Sequence, residues 1–376
     1  MRPLTVGIVG GFDVMNFGDL LFPLLAEHEL RERLGDVTVR AYSHNELAPP
    51  DWPYPVRALE RLGHDLDAQD LDLVLVGGGH LVRFDKDVAL DYGSTSPAVH
   101  HPTGYWLTPT LVAGAAGIPV AWNALGVSPD TPAWAGPLVA AALEVASYVS
   151  VRDEPSAREL RGLTRTANVE VVPDTAFGVT RLLAADASDR LSQIVSPPYV
   201  VVQATPNLRP HAEKIATAAE PLRDAGIALL EVAISPALGD RGGKLGIGQP
   251  LVIEPWAQPL LLAELIGRAE AVVAFSLHLS IAAVAQGVPV YRPASLPGEK
   301  YELLEQFPNV HTWNGTADTL LLDERGRRSP GAEAEDMAAR LVQHWDEIAS
   351  LVGTAPRRHF ARLSALLAEL TAQLES

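Results

Sequence analysis

Short β-branched runs alternating with helix-period segments across most of the chain, a polar, proline-marked break near its middle, and a length of 376 residues predict an α/β protein. The architecture expected is two doubly wound, Rossmann-like domains followed by C-terminal helices. The length exceeds the usual size of a single hydrophobic core, so two domains are the natural division. They read as residues 1–185 and 199–330, with a helical tail over 331–376.

In the first domain the strands predicted are Thr5–Val9, Val37–Tyr42, Leu71–Val76, Ile118–Asn123, Tyr148–Val151 and Val169–Val172. Each is a short apolar run bounded by turn residues, the pattern of a strand buried on both faces. Between them Leu20–Arg33, Pro137–Ala146 and Pro155–Leu160 carry helical periodicity. The break is the polar stretch Ala185–Arg190 followed by Ser196-Pro197-Pro198. The rhythm then restarts with strands at Tyr199–Gln203, Ala228–Ala233, Ala271–Phe275 and Val288–Tyr291, and helices at Ala212–Asp224, Leu260–Gly267 and Leu279–Gln286. From about Ala332 two amphipathic helices are expected. Met337, Leu341, Trp345, Ile348 and Leu351 share one face of the first; Phe360, Leu363, Leu367, Leu370 and Leu374 share one face of the second.

Composition narrows the function. Hydrophobic residues at 47% and charged residues at 20% describe an ordinary globular chain. The formal net charge of −17 argues against nucleic-acid binding, which needs a basic footprint, but leaves room for an anionic ligand in a locally positive pocket. The absence of cysteine rules out disulfides, thiolate nucleophiles and Cys-ligated zinc. Of the basic residues only Lys86, Lys214, Lys244 and Lys300 are lysines, an Arg bias expected of a GC-rich bacterial genome. The opening residues are broken too soon by Gly10-Gly11 to be a signal peptide, and no apolar stretch reaches the ~18 residues of a membrane span. A cytoplasmic location is expected.

Chemistry-bearing residues gather where strands end. The first strand runs into Gly10–Asp19, whose glycines either let backbone approach a ligand or make a turn, while Asn16 or Asp19 can cap the next helix. The spacing is neither a dinucleotide fingerprint nor a P-loop. Gly77-Gly78-Gly79-His80 closes the third strand as a ligand wall or a tight turn. Ser150–Ser156 places Arg152 either against an anion or in a surface pair with Asp153, and Asp174 ends the sixth strand. His100-His101 lacks a second cluster at metal-ligand spacing, so no metal is expected, and no Gly-x-Ser-x-Gly elbow occurs. The sharpest signal is Ala271–Phe275 leading through Ser276-Leu277-His278 into an apolar helix. That order puts an imidazole at a strand-to-helix turn, the edge where open α/β sheets bind ligands and where a helix start favours anions.

Asn16-Phe17-Gly18-Asp19, Asp72 with Gly77-Gly78-Gly79, Ser150–Ser156, Pro173–Phe177, and Ser276-Leu277-His278 followed by Gly287–Val290 resemble, in this order, the polysaccharide pyruvyltransferase family. The resemblance implies a fold like that of two-domain GT-B glycosyltransferases. It also implies transfer of the pyruvyl unit of phosphoenolpyruvate onto two hydroxyls of a glycan as a ketal, with release of phosphate and without a cofactor. On it, His278 is the acid/base and Asp19 a second catalytic candidate. Asn16, Gly78, Gly79, Arg152, Ser276, Arg292 and Lys300 are candidates for holding substrate. The acceptor would be a sugar or a lipid-linked glycan of exopolysaccharide or cell wall, the latter with peripheral membrane contact.

The chain departs from the family pattern at Ser276, where an Arg is expected. One hydroxyl does not replace a guanidinium's bidentate grip, so Arg152, Arg209, Arg241, Arg292 and Lys300 are candidates for that charge. Two other readings stay open. One is a GT-B-like glycosyltransferase using a nucleotide-sugar, with His278 or Asp13 as base; the other is an inactive binding or scaffold member.

Overall fold

The computed structural model describes residues 3–84, 102–185, 190–196, 198–236, 240, 244–251, 253, 258–293, 299–313 and 331–352. Among the described residues thirteen strands form two parallel sheets. The first contains β1 (Leu4–Val9), β2 (Val37–Ser43), β3 (Val56–Ala58), β4 (Leu73–Gly77), β5 (Val120–Leu125), β6 (Tyr148–Val151) and β7 (Glu170–Val171), in the order β3-β2-β1-β4-β5-β6-β7. The second contains β8 (Tyr199–Gln203), β9 (Ala228–Val232), β10 (Gln249–Leu251), β11 (Ala271–Val273), β12 (Val290–Pro293) and β13 (Val310–Trp313), in the order β10-β9-β8-β11-β12-β13. Both orders reverse direction once, between β1 and β4 and between β8 and β11. Such reversals open a crevice at the strands' carboxyl ends.

The helices in chain order are α1 (Phe17–Leu34), α2 (Arg61–Asp67), α3 (Leu107–Ala115), α4 (Gly136–Val145), α5 (Glu154–Leu163), α6 (Val179–Ala185) and α7 (Arg190–Ile194). They continue with α8 (Ala212–Ala218), α9 (Glu220–Asp224), α10 (Pro259–Gly267), α11 (Leu277–Ala285) and α12 (Ala332–Ser350). The expected single helix over 212–224 is two, because Pro221 enters just after Ala219 and cannot continue the hydrogen-bond ladder. Sequence reading did not anticipate β3, β10 and β13. They are three or four residues long and lie at or next to a sheet edge, and β10 carries Pro250, a residue that only an edge tolerates.

Helix α1 is the keel between the sheets. The Asn16 side chain caps it by accepting from Gly18 N at 3.2 Å, and Gly35 ends it at φ +81°. Its apolar residues Phe17, Leu20, Leu21 and Leu25 share one buried cluster with Leu261 and Leu265 of α10, Ile281 of α11 and Trp345 of α12. The apolar core is therefore continuous across the two lobes. A backbone bond from Phe17 N to Ile234 O (3.0 Å) adds a polar tie.

Helix α12 buries Met337, Leu341, Trp345 and Ile348, as their spacing predicts, and returns to the first lobe. Arg33 Nε donates to Asp346 Oδ1 at 2.7 Å, and His344 bridges Asn123 Oδ1 (2.7 Å) and the Tyr148 hydroxyl (3.1 Å). The second tail helix expected around Phe360–Leu374 lies outside the described residues, as does most of the polar break. Burial, reinforced by Arg33, pushes the His344 imidazole down to about 3, so it stays neutral in the fold while the unfolded ring titrates near its usual 6.5. A depressed histidine contributes stability that is lost as pH falls below 6.5. Urea unfolding should show wild type losing about 1 kcal/mol more than His344→Gln between pH 7.5 and pH 5.5.

Among the described residues, no helix is long and apolar enough to cross a membrane. Among the same residues, no group of His, Asp and Glu is placed to hold a metal ion. The His100-His101 pair lies outside them.

Candidate active site

The two sheet reversals face one another, and the side chains at their edges meet. On the first lobe, β4 ends in a turn that holds Gly78 at φ +65° and Gly79 at φ +76°, a region closed to most side chains. The turn lies against α1. A Cβ on Gly78 would enter the Phe22 ring, and one on Gly79 would stand 2.9 Å from Asp19 Oδ1. The missing side chain at Gly79 thus makes room for a carboxylate in the first turn of α1.

On the second lobe, Phe275 N (2.9 Å) and Ser276 N (2.7 Å) donate to Gln203 Oε1 at the end of β8. Ser276 caps α11, its hydroxyl accepting from Leu279 N at 3.4 Å. His278 follows in the first turn and crosses the lobe boundary. Its ring meets Phe22 edge-on at 5.4 Å and lies so close over Gly18 that any Cβ there would overlap Nδ1.

His278 Nε2 stands 3.4 Å from Asp174 Oδ2. That same oxygen lies 3.3 Å from Arg152 Nη1, while Asp174 Oδ1 accepts from Ala176 N at 3.0 Å. Arg152 Nε is 3.5 Å from Asp153 Oδ2, whose partner oxygen caps α5 through Ser156 N at 2.8 Å. Beyond Arg152, Gly126 has no room for a side chain, because a Cβ would be 2.8 Å from both Arg152 Nη2 and His80 Nδ1. His80 Nε2 in turn pairs with the Ser128 hydroxyl at 3.1 Å. Asp19, His80, Arg152, Asp174 and His278 therefore form one cluster drawn from five segments of chain.

The two carboxylates of the cluster differ. Burial raises the Asp174 pKa, but His278 and Arg152 outweigh it and hold the group at about 2, permanently charged near neutrality. Burial dominates at Asp19 and pushes it up to about 6 against the pull of His278 and Arg152. Asp19 can therefore give and take a proton near neutral pH, whereas Asp174 serves as a fixed charge. A carboxyl raised above its unfolded value of 3.8 stabilises the fold only at low pH, and that contribution is lost as pH rises through about 6. Asp19→Asn should therefore stabilise the protein at pH 7.5 by about 1–3 kcal/mol while lowering activity, and the gain should vanish near pH 4. Chemical denaturation at the two pH values checks this; a variant less stable than wild type at pH 7.5 would contradict it.

The structure brings Asp19, Gly79, Arg152 and His278 together at the lobe junction and gives other candidate residues structural partners of their own. The Gly78 N–H donates to Asn123 O (3.1 Å), and Phe22 fills the space a side chain at Gly78 would take. The oxygens of Asn16 and Ser276 are spent on helix caps. Asp13 is tied to Ser43 Oγ (2.5 Å), Asn45 N (2.9 Å) and Asn45 Nδ2 (2.6 Å), which fixes the loop after β1 instead of offering a base.

Of the proposed replacement cations, Arg209 is exposed on the 3-10 turn Pro206–His211, and Arg241 lies outside the described residues. Lys300 sits in the 3-10 turn Glu299–Leu304, and its side chain is outside what is described. Arg292 is buried at the end of β12. Sequence reasoning undervalued Asp174 and His80. Their partners lie far away in the chain; the position of each at a strand's end pointed to them, and for Asp174 so did its place in the Pro173–Phe177 segment of the family resemblance.

His278 is more enclosed than an open crevice would leave it, at 9% exposure. Beside the cluster a cavity of about 240 Å³ opens between the lobes, lined by Arg152, Asp153, Asp174, Glu302, Met337 and Arg340.

A family model described as polysaccharide pyruvyl transferase matches residues 16–292, which span the whole cluster. No curated relative matches the sequence. Solved structures are similar over nearly the full length. A UDP-GlcNAc 2-epimerase from Methanocaldococcus jannaschii aligns with a TM-score of 0.56 at 15% identity, covering 91% of this chain and 100% of its own. A structure described as a putative UDP-N-acetylglucosamine 2-epimerase from Listeria monocytogenes aligns at 0.53 and 11%, covering 98% of each chain. A UDP-GlcNAc 2-epimerase from Neisseria meningitidis aligns at 0.51 and 13%, covering 97% and 100%. At these identities the likeness speaks for the two-lobed, GT-B-like fold alone.

Proposed function

The chain belongs to the polysaccharide pyruvyl transferase family, and on that premise we propose that it moves the pyruvyl unit of phosphoenolpyruvate onto two hydroxyls of a glycan, leaving a ketal and inorganic phosphate. One observation carries the reading: a proton-exchanging carboxyl, Asp19, and an imidazole oriented by a fixed carboxylate, His278 on Asp174, share one inter-lobe cluster with a buried guanidinium. Ketal formation asks for those three kinds of group. A proton must reach the enol methylene, two hydroxyls must lose theirs, and an anionic donor must be held.

In this scheme the Asp19 carboxyl protonates the methylene carbon, and the cationic carbon that results takes the oxygen of a first hydroxyl, whose proton passes to His278. The carbon–oxygen bond to phosphate then breaks, and the imidazolium returns its proton to the departing phosphate. A second hydroxyl closes the ketal and gives its proton to the Asp19 carboxylate, so both groups end as they began. Asp174 acts through His278 as a positioning residue, and Arg152 opposes the donor's charge.

The test is to mix the protein with phosphoenolpyruvate and a β-galactoside or β-mannoside acceptor, then follow phosphate and the acceptor's mass. Phosphate release with a pyruvyl mass gain is expected. Turnover of a UDP-sugar on the same acceptors, with phosphoenolpyruvate inert, would favour the glycosyltransferase reading.

A further inference from the structure

Arg292 is 6% exposed, and its Nε and Nη2 have no hydrogen-bond partner. Among the described residues no carboxylate pairs with it; its guanidinium carbon instead lies 4.0 Å over the centre of the Tyr301 ring. In a chain with a net charge of −17, a buried guanidinium without an acid is conspicuous, because an uncompensated buried charge is costly. Burial already draws its pKa down to about 10.

Strand geometry says where the side chain goes. Val290 belongs to the apolar cluster shared between the lobes, and Tyr291 to the cluster on the opposite face of the sheet. Side chains alternate along a strand, so Arg292 points with Val290 toward the lobe junction. It is level with the exit of β11, where Ala274 N donates to Tyr291 O at 3.0 Å, two residues before Ser276. Tyr301 packs edge-on against Phe275 at 6.4 Å and also feels the charge of Arg152 from the first lobe. The Arg292 guanidinium thus covers an aromatic ring that packs on Phe275, three residues before His278, and that is within electrostatic reach of Arg152 from the first lobe.

We propose that Arg292, stacked on Tyr301, is an anion-binding residue of this chain that takes a phosphate or carboxylate group of the donor from strand β12, a charge that Ser276 cannot supply. A planar guanidinium held by a ring offers its nitrogens as a fork suited to such a group. The ligand would complete the charge pairing that the protein leaves open. The chemistry is shared by phosphoenolpyruvate and by the diphosphate of a nucleotide-sugar. Naming phosphoenolpyruvate as the donor rests on the proposed pyruvyl transfer, whereas the anion site does not.

Thermal shift and calorimetric titration of wild type, Arg292→Met and Arg292→Lys with inorganic phosphate, phosphoenolpyruvate and a UDP-sugar test this. Wild type should bind phosphoenolpyruvate. Arg292→Met should bind it ~10- to 100-fold more weakly, and Arg292→Lys should lie between. Without ligand, Arg292→Met should melt at or above the wild-type temperature, because it removes an unpaired buried charge; a purely structural arginine would give the reverse. If wild type and Arg292→Met bind equally, if Arg292→Met is markedly less stable or unfolded while Arg292→Lys binds like wild type, or if no anion binds wild type, the assignment is overturned. Binding of phosphate or a UDP-sugar that depends on Arg292, with phosphoenolpyruvate inert, would uphold the anion site and overturn the donor.

Discussion

His278→Gln should lower kcat by about 10²- to 10⁴-fold with the fold retained. The imidazole is the one cluster member contributed by the second lobe's sheet reversal, and glutamine can reach toward Asp174 but cannot relay a proton. The alternative is that His278 is a packing residue, a fair reading of a ring wedged between Gly18 and Phe22. The two roles separate cleanly. Packing predicts a lower melting temperature with kcat per folded molecule little changed. Proton transfer predicts near-normal melting, donor affinity within a few-fold of wild type, and a collapsed turnover.

Asp174→Asn carries the second large effect, on stability and activity together. The carboxylate sits at 1% exposure between a guanidinium and an imidazole, and its loss leaves Arg152 buried without its principal counter-ion. Removing one partner from such a pair destabilises by about 3–5 kcal/mol. The retained amide oxygen can still accept from Ala176 N, so the lower end of that range is expected. Turnover should fall as well, because the imidazole loses the group that orients it.

The pH dependence supplies an independent check. A carboxyl lowered from 3.8 to about 2 contributes stability that is fully present above pH 4 and is lost as pH falls through about 2. That contribution is about 2 kcal/mol. The difference in unfolding free energy between wild type and Asp174→Asn should therefore be constant from pH 8 to pH 5 and shrink by about this amount toward pH 2. A difference that grows on acidification would contradict the assignment of Asp174 as a fixed charge.

The middle of each sheet was legible in the residues alone. The central strands β1, β4, β8 and β11 are buried on both faces, so their apolar runs announce themselves, and the glycine turns and His278 could be placed at strand ends from order alone. The edges were not legible: β3, β10 and β13 are too short for periodicity to register. Sequence alone did not divide the structural tasks within motifs where two residues could take the same one. Asn16 takes the helix cap and leaves the Asp19 carboxyl to the lobe junction; Gly78 packs on Phe22 while Gly79 clears space for that same carboxyl. The partnership of Asp174 with His278 spans the lobes and has no local signature. Neither does the isolation of Arg292, because the lack of a partner cannot be seen in a string of residues.

Whether the inter-lobe cluster is a donor site is decided by a crystal structure of the chain grown with phosphoenolpyruvate. The donor should lie between the lobes, its anionic oxygens against Arg152 and Arg292, its methylene carbon facing Asp19 and its bridging phosphate oxygen within reach of His278. A donor seated elsewhere, or crystals in which saturating donor leaves the junction around His278 vacant, would contradict the assignment.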